Sequence, residues 1–169
     1  AMELIDKIIP TPSKESEIDA LLKAQKNCFA AGLTTVTDAG LDLATILLID
    51  SLQQTGDLTI RVYAMCNPTE ANFDYLATNG AILNDKLRVK SFKMYAGGSL
   101  GSRGAKLKQS YCDHEGHTGV WVTIPEELEN LYQLVYDLGF QANTHCIGDS
   151  ANRKVLELYG NILKGENDK

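Results

Sequence analysis

Residues 123–163 have the sequence TIPEELENLYQLVYDLGFQANTHCIGDSANRKVLELYGNIL, and this stretch decides the fold because it contains two helices around one strand. Thr123 and Glu126 fit a capping box, and Pro125 lies in the first turn of the first helix. That helix ends at Gly139, since glycine commonly follows the last helical turn. Its apolar residues recur at helical spacing: Leu128, Leu131, Val135 and Leu138.

The same alternation of helix and strand runs through the rest of the chain. A strand is predicted over 140–146, and a helix from Ser150 to about Leu163. Upstream, the pattern predicts helices over 13–31, 41–55 and 70–79, and strands over 34–38, 58–65 and 87–95. Such alternation is typical of βαβ units with a parallel sheet. Four strands would make either a small open sheet or part of a (β/α)8 barrel, which needs about 250 residues, whereas this chain has 169.

Composition indicates one globular domain over 1–169 and excludes several classes of partner. The net charge of −6 argues against nucleic acid, because binding to phosphates needs a basic surface. No apolar run approaches the length of about 18 residues that a membrane span requires. No signal peptide is visible, and the cysteines form no CxxC pair, so we expect a reducing, cytoplasmic compartment. The four cysteines are Cys28, Cys66, Cys112 and Cys146.

Two candidate chemical groups lie near the ends of predicted strands, where parallel α/β folds bind their ligands. Lys93 lies near the end of one strand, and strict alternation would place it on one face with Ser91 and Val89. A lysine inside a parallel strand is costly unless it is paired or chemically altered. Four interpretations of Lys93 remain open. It is a surface lysine on a strand whose bounds are misjudged, a Schiff-base nucleophile, a phosphate contact, or a lysine carboxylated by CO2 that bridges two metal ions. His145 is either a hydrogen-bonded core residue or a metal ligand.

The connection of about 25 residues between 97 and 122 predicts a lid or a substrate loop, since long irregular connections are usually functional. It contains GGSLGSRGA and YCDHEGHTG. Arg103 would either hold an anionic substrate group or brace the loop against a carbonyl. A cluster of potential zinc ligands lies in the same loop: Cys112, Asp113, His114 and His117. A zinc knot would need a second ligand pair at suitable spacing, so we interpret these residues as polar loop residues in contact with solvent.

Several segments taken together resemble the YtcJ-like branch of the metal-dependent amidohydrolases, amidohydrolase family 3. They are VKSFKMYAGGSLGSRGAKL, YCDHEGHTG and GFQANTHCIGDSANRKVLELY, joined by AAGLTTVTDAG near the N-terminus. The pattern K-x-[FY]-A-x-G-[AS]-L-G-S-R-[GT]-A with H-x-I-G-D-x-A-N downstream is specific. The resemblance implies an incomplete (β/α)8 TIM barrel in which about residues 13–163 cover the second to fifth strands. The first strand and the sixth to eighth strands would then be absent from the chain.

The resemblance also implies a hydrolase that cleaves amide or similar C–N bonds of small molecules. Water activated on one or two divalent metal ions, typically zinc, carries out that reaction in the family. By this resemblance Lys93 is the carboxylated lysine ligand of the fourth strand, and His145 is the metal ligand of the fifth. Ser99, Arg103 and Asp149 are candidates for contacts with the substrate in the loops.

Two departures from the family pattern limit what the chain is expected to do alone. Gly97 stands where the family usually has aspartate, and no histidine precedes His114, so the first-strand His-x-His pair has no counterpart. The sixth-strand histidine and the eighth-strand aspartate have none either. Catalytic zinc takes three protein ligands and water. We therefore expect an inactive fragment with little bound metal that self-associates through exposed barrel edges.

Two alternative functions remain open at this stage. The chain could be a free-standing four-stranded α/β module that binds a small molecule or a partner. It could also be a lyase that uses Lys93 as a Schiff base, since a desolvated lysine amine is a nucleophile towards carbonyl groups.

Overall fold

A computed structural model describes residues 8–164 of the chain. The expectation about a signal peptide concerns the N-terminus and lies outside these residues. In chain order the elements are α1 (Lys14–Ala30), β1 (Thr35–Leu41), α2 (Leu43–Thr55), β2 (Arg61–Cys66), α3 (Glu70–Asn79), β3 (Ile82–Leu83), β4 (Leu87–Tyr95), α4 (Pro125–Asp137), β5 (Gln141–His145) and α5 (Asp149–Leu163). Among the described residues, no helix is long and apolar enough to cross a membrane.

The four long strands form the parallel sheet that the sequence predicts. Their spatial order is β1, β2, β4 and β5, and each neighbouring pair is parallel. The short strand β3 was not predicted, and it pairs antiparallel with the first half of β4. Because β5 pairs with residues 91–95 of β4, β3 and β5 divide one edge of β4 between them. A strand of two residues is too short to show the alternation of apolar and polar residues by which strands are predicted, so the sequence contained no signal for β3.

Side-chain caps begin α1 and α3, and one predicted cap is wrong. The Ser13 side chain accepts a hydrogen bond from the Ser16 N–H, and Thr69 caps α3 in the same way. The predicted capping box at Thr123 is wrong, because Ile124 is the N-cap of α4 and no side chain caps that helix. Pro125 explains the shift. Proline is favoured as the first helical residue, and it holds the preceding residue in an extended conformation.

A β-bulge in β4 decides which way Lys93 faces. Ala64 and Met65 are consecutive in β2, yet they align with Val89 and Ser91, so β4 contains one extra residue. Val89 and Ser91 therefore lie on opposite faces of the sheet. The predicted alternation, which put Val89 and Lys93 on the same face, is wrong for this reason.

Helices cover one face of the sheet, and the core lies there. Phe92 is fully buried on this face and stacks on Phe73 at 4.3 Å between ring centroids. Phe140 packs edge-on against Phe92, with 5.6 Å between the ring centroids. The opposite face, which we call the open face, carries a row of partly exposed side chains: Tyr63, Met65, Lys93, Tyr95, Asn143 and His145.

Candidate metal centre

Lys93 and His145 share the open face at the carboxyl ends of two neighbouring parallel strands. Lys93 aligns with Asn143, and Tyr95 aligns with His145, so the two candidate ligands are diagonal neighbours. Strand spacing and rise place their Cα atoms about 8 Å apart. Both side chains are half-buried. The structure therefore brings together the two residues that the sequence selected, within the combined reach of their side chains.

Tyr95 lies between these two residues, and sequence reasoning did not single it out. The Lys93 Nζ atom is 5.1 Å from the centroid of the Tyr95 ring, a cation–π contact. The ring centroids of Tyr95 and His145 are 5.8 Å apart. The Tyr95 hydroxyl donates to the carbonyl of Ala39, across β2, at 3.4 Å. Its position two residues after Lys93 was the available signal, since alternate residues of a strand share a face.

Backbone contacts on both sides fix the position of His145 at the strand end. Its carbonyl accepts a hydrogen bond from the Ala96 N–H at 2.9 Å. On the other side, the Asn152 amide nitrogen donates to the carbonyls of Cys146, Ile147 and Gly148, at 3.0, 3.2 and 3.0 Å. Burial raises the pKa of the Cys146 thiol, and the nearby charge of Lys93 partly opposes this rise.

The connection over 97–122 has an ordered structure and is docked on α5. Its carbonyl at Lys106 accepts from the Ala151 N–H at 3.2 Å, and the Asp149 carboxylate accepts from the Lys108 N–H at 2.9 Å. Gly148 permits this approach, because a Cβ atom there would lie 1.9 Å from the Lys106 carbonyl oxygen. The loop that follows β4 is thus attached to the turn that follows β5.

The three substrate-loop candidates already have partners within the chain. The Ser99 hydroxyl lies 2.8 Å from that of Ser102. Arg103 makes a forked contact with both carboxylate oxygens of Asp113, at 3.1 and 2.9 Å, and this contact raises the arginine pKa and lowers that of Asp113. Arg103 therefore braces the loop, as one of the two predictions had it. Its partner is the Asp113 carboxylate, whereas the prediction had considered a carbonyl. Asp149 holds Lys108, as described above.

The other histidines do not complete a metal site with these residues. His114 and His117 lie in the loop with ring centroids 5.1 Å apart, and the His117 Nε2 atom is 2.9 Å from the Arg103 carbonyl. Within residues 8–164, no group of three histidine, cysteine, aspartate or glutamate side chains could hold a metal ion. Imidazole and a carboxylated lysine suit a divalent metal chemically. Lys93 and His145 nevertheless supply only two donors.

Comparison with known proteins places the chain in a family. The model of the amidohydrolase family matches residues 1–167. The chain belongs to the amidohydrolase family. The chain is 26% identical over 181 residues to the protein LONG AFTER FAR-RED 3 of Arabidopsis thaliana, covering all of this chain. It is 27% identical over 161 residues, 92% of the chain, to YtcJ of Bacillus subtilis (strain 168), which is named as an amidohydrolase. The chain spans 31% and 30% of the lengths of these relatives.

Two solved structures share the fold of this amidohydrolase segment. A metal-dependent hydrolase of Pyrococcus horikoshii OT3 superposes with a TM-score of 0.80 at 26% identity, over 87% of this chain and 30% of its own. A metal-dependent hydrolase of Pyrococcus furiosus gives 0.83 at 24% identity, over 95% and 34%. The predicted family and the predicted parallel α/β fold, as part of a (β/α)8 barrel, are both confirmed.

Proposed function

We propose that this chain is a segment of a metal-dependent hydrolase that cleaves C–N bonds of small amide-type molecules through metal-activated water. The placement of Lys93 and His145 supports the proposal most, because both lie near the carboxyl ends of neighbouring parallel strands, where barrel enzymes bind their ligands. Membership of the amidohydrolase family supports a hydrolase. The superposed archaeal proteins, both described as metal-dependent hydrolases, support the involvement of a metal.

In this proposal each candidate residue has a defined part. Lys93, carboxylated on Nζ by CO2, and His145 would be two ligands of a divalent metal, for which zinc is our candidate. Carboxylation converts a cation on the open face into an anion with oxygen donors. When bound, such a metal lowers the pKa of a coordinated water to about 7. Ser99, Arg103 and Asp149 would contact the substrate, and Arg103 would have to leave Asp113 to do so.

The segment would be inactive alone. Two protein donors fall short of the three that catalytic zinc takes. We propose that residues 1–169 are an incomplete barrel domain without the first strand and the sixth to eighth strands. The small share of the relatives' length that it covers supports this view.

Exposed edges support the proposal that copies of the chain associate. Among residues 8–164, β1 pairs only with β2, and β5 has only β4 and no strand on its other side. Unpaired edges invite further strands. A cavity of about 300 Å³ opens beside β5 between α4 and α5, and it is lined mostly by apolar and aromatic residues, including Tyr132, Phe140, Tyr159 and Ile162. Leu156 on α5 is 68% exposed.

Small molecules are the partner class that the family supports, and neither nucleic acid nor a membrane is proposed as a partner. The net charge of −6 argues against binding to nucleic acid, whose phosphates require a basic surface. We also propose a cytoplasmic location, because the four cysteines are free and disulfides are rare in reducing compartments.

A zinc titration followed by NMR of the histidine imidazoles tests the proposed site. In the presence of bicarbonate, the His145 signals should respond to Zn²⁺, and His145→Ala or Lys93→Ala should each weaken the binding by at least about tenfold. His114→Ala is the matched control and should leave the affinity unchanged. Equal zinc affinity in the wild-type protein and His145→Ala would refute the proposal.

A further inference from the structure

We infer that Asn152 is a positioning residue that holds His145 in place for the metal ion, an inference that rests on the proposed function. Asn152 lies in the first turn of α5, seven residues after His145 in the chain. The hydrogen bonds of its side chain go to the residues after His145, not to the imidazole. Its side chain acts instead on the three residues that join β5 to α5.

The Asn152 side chain has both its oxygen and its nitrogen engaged by this turn. Its amide nitrogen donates to the carbonyls of Cys146, Ile147 and Gly148. Its carbonyl oxygen accepts from the Cys146 thiol at 3.4 Å. One side chain therefore fixes three consecutive peptide groups directly after the proposed ligand. No side chain caps α5 at Gly148, and the turn is held by this contact together with the docking of Lys106 on Ala151.

The contact with Cys146 acts on the residue directly after His145. His145 is the last residue of β5, and its pairing with Tyr95 places it on the open face. Asn152 holds the Cys146 thiol towards α5 and so limits rotation of the chain where it leaves the strand at His145. The Ala96 N–H fixes the His145 carbonyl from β4, so the residue is held on both sides.

The neighbouring residue Arg153 supplies a matched control. It occupies the next position of α5, is exposed, and its guanidinium bonds to Glu157 on the same helix. Its removal should leave the turn after β5 unchanged. Asn152→Asp keeps the size and the oxygen acceptor but loses the N–H donors and directs negative charge at three carbonyls. Asn152→Ala removes the donors without added charge, and it keeps the test valid if the aspartate variant does not fold.

The experiment compares the wild-type protein, Asn152→Asp, Asn152→Ala, Arg153→Ala and His145→Ala, all as full chains. Three quantities are measured: the NOE between the His145 and Tyr95 rings, the Zn²⁺ affinity at His145, and the urea unfolding midpoint. We expect the Asn152 variants to lose the NOE and about tenfold in Zn²⁺ affinity while remaining folded. Arg153→Ala should match the wild-type protein in all three.

The outcomes separate this inference from the proposed function. If His145→Ala abolishes zinc binding while both Asn152 variants keep the NOE and the affinity, the positioning role is refuted and the metal site stands. If His145→Ala leaves zinc affinity unchanged, the proposed function fails, and loss of the NOE in Asn152→Ala still supports the positioning of His145. A variant that only lowers the unfolding midpoint, with the NOE intact, shows a structural role and overturns the inference.

Discussion

Gly148→Ala tests how closely the loop over 97–122 is docked on α5. Gly148 has φ −64° and ψ 144°, which alanine adopts without strain, so the added methyl group is the only perturbation. Its Cβ would lie 1.9 Å from the Lys106 carbonyl oxygen, whereas ordinary contact begins at 3.4 Å, so the loop must move by about 1.5 Å. That movement breaks two hydrogen bonds between α5 and the docked loop, from the Ala151 N–H to the Lys106 carbonyl and from the Lys108 N–H to the Asp149 carboxylate, each contributing about 1 kcal/mol.

We expect Gly148→Ala to lower the free energy of unfolding by about 3–5 kcal/mol, since overpacking costs about 1–3 kcal/mol and the two lost hydrogen bonds add about 2 kcal/mol. Urea unfolding followed by circular dichroism measures this change, and hydrogen exchange at the Ala151 amide reports the docking directly. Gly160→Ala is the control, because no atom lies within 4 Å of its Cβ position in α5. It should stabilise the helix by up to about 1 kcal/mol. A Gly148→Ala protein within about 0.5 kcal/mol of wild type would refute the reasoning.

Three further predictions concern the core, pH and Lys93. Phe92→Ala should lower the free energy of unfolding by about 3–5 kcal/mol in urea titrations, because the ring is fully buried and contacts two other rings. Leu100→Ala is the control: Leu100 is 53% exposed, and its change should stay within about 0.5 kcal/mol. Burial raises the pKa of Cys66 from 9.0 to about 12. The contribution of its neutral thiol to the free energy of unfolding is therefore fully present below pH 9 and is lost as the pH rises towards 12. Stability should then fall by up to about 1.4 kcal/mol per pH unit relative to Cys66→Ala, and parallel pH profiles would contradict this. Borohydride with a carbonyl compound should not trap Lys93 in mass spectra, and a trapped adduct would favour the Schiff-base lyase.

Features set by neighbouring residues were predictable from the sequence. Ser13 and Thr69 cap their helices as short-range patterns indicate, and α3 and β4 have the predicted bounds. Lys93 and His145 were found because a parallel sheet collects its strand ends at one edge. The resemblance to amidohydrolases then predicted a common role for them as metal ligands.

Features set by distant residues were not predictable. The bulge in β4 depends on how Met65 aligns with Ser91, and strict alternation therefore wrongly grouped Val89 with Lys93. The docking of Lys108 by Asp149 joins residues 41 positions apart, and no local pattern marks it. Asn152 stood in the quoted motif, but its contacts with three carbonyls appear only when α5 packs beside β5.

The zinc content and size of the purified chain test the central claim most directly. The chain is equilibrated with Zn²⁺ and bicarbonate, dialysed, and measured by elemental analysis and light scattering, alongside Lys93→Ala and His145→Ala. We predict dimers or larger assemblies that retain well below one zinc ion per chain, because two donors do not make a stable site and open sheet edges associate. A stable monomer that retains one or two zinc ions per chain would contradict the account.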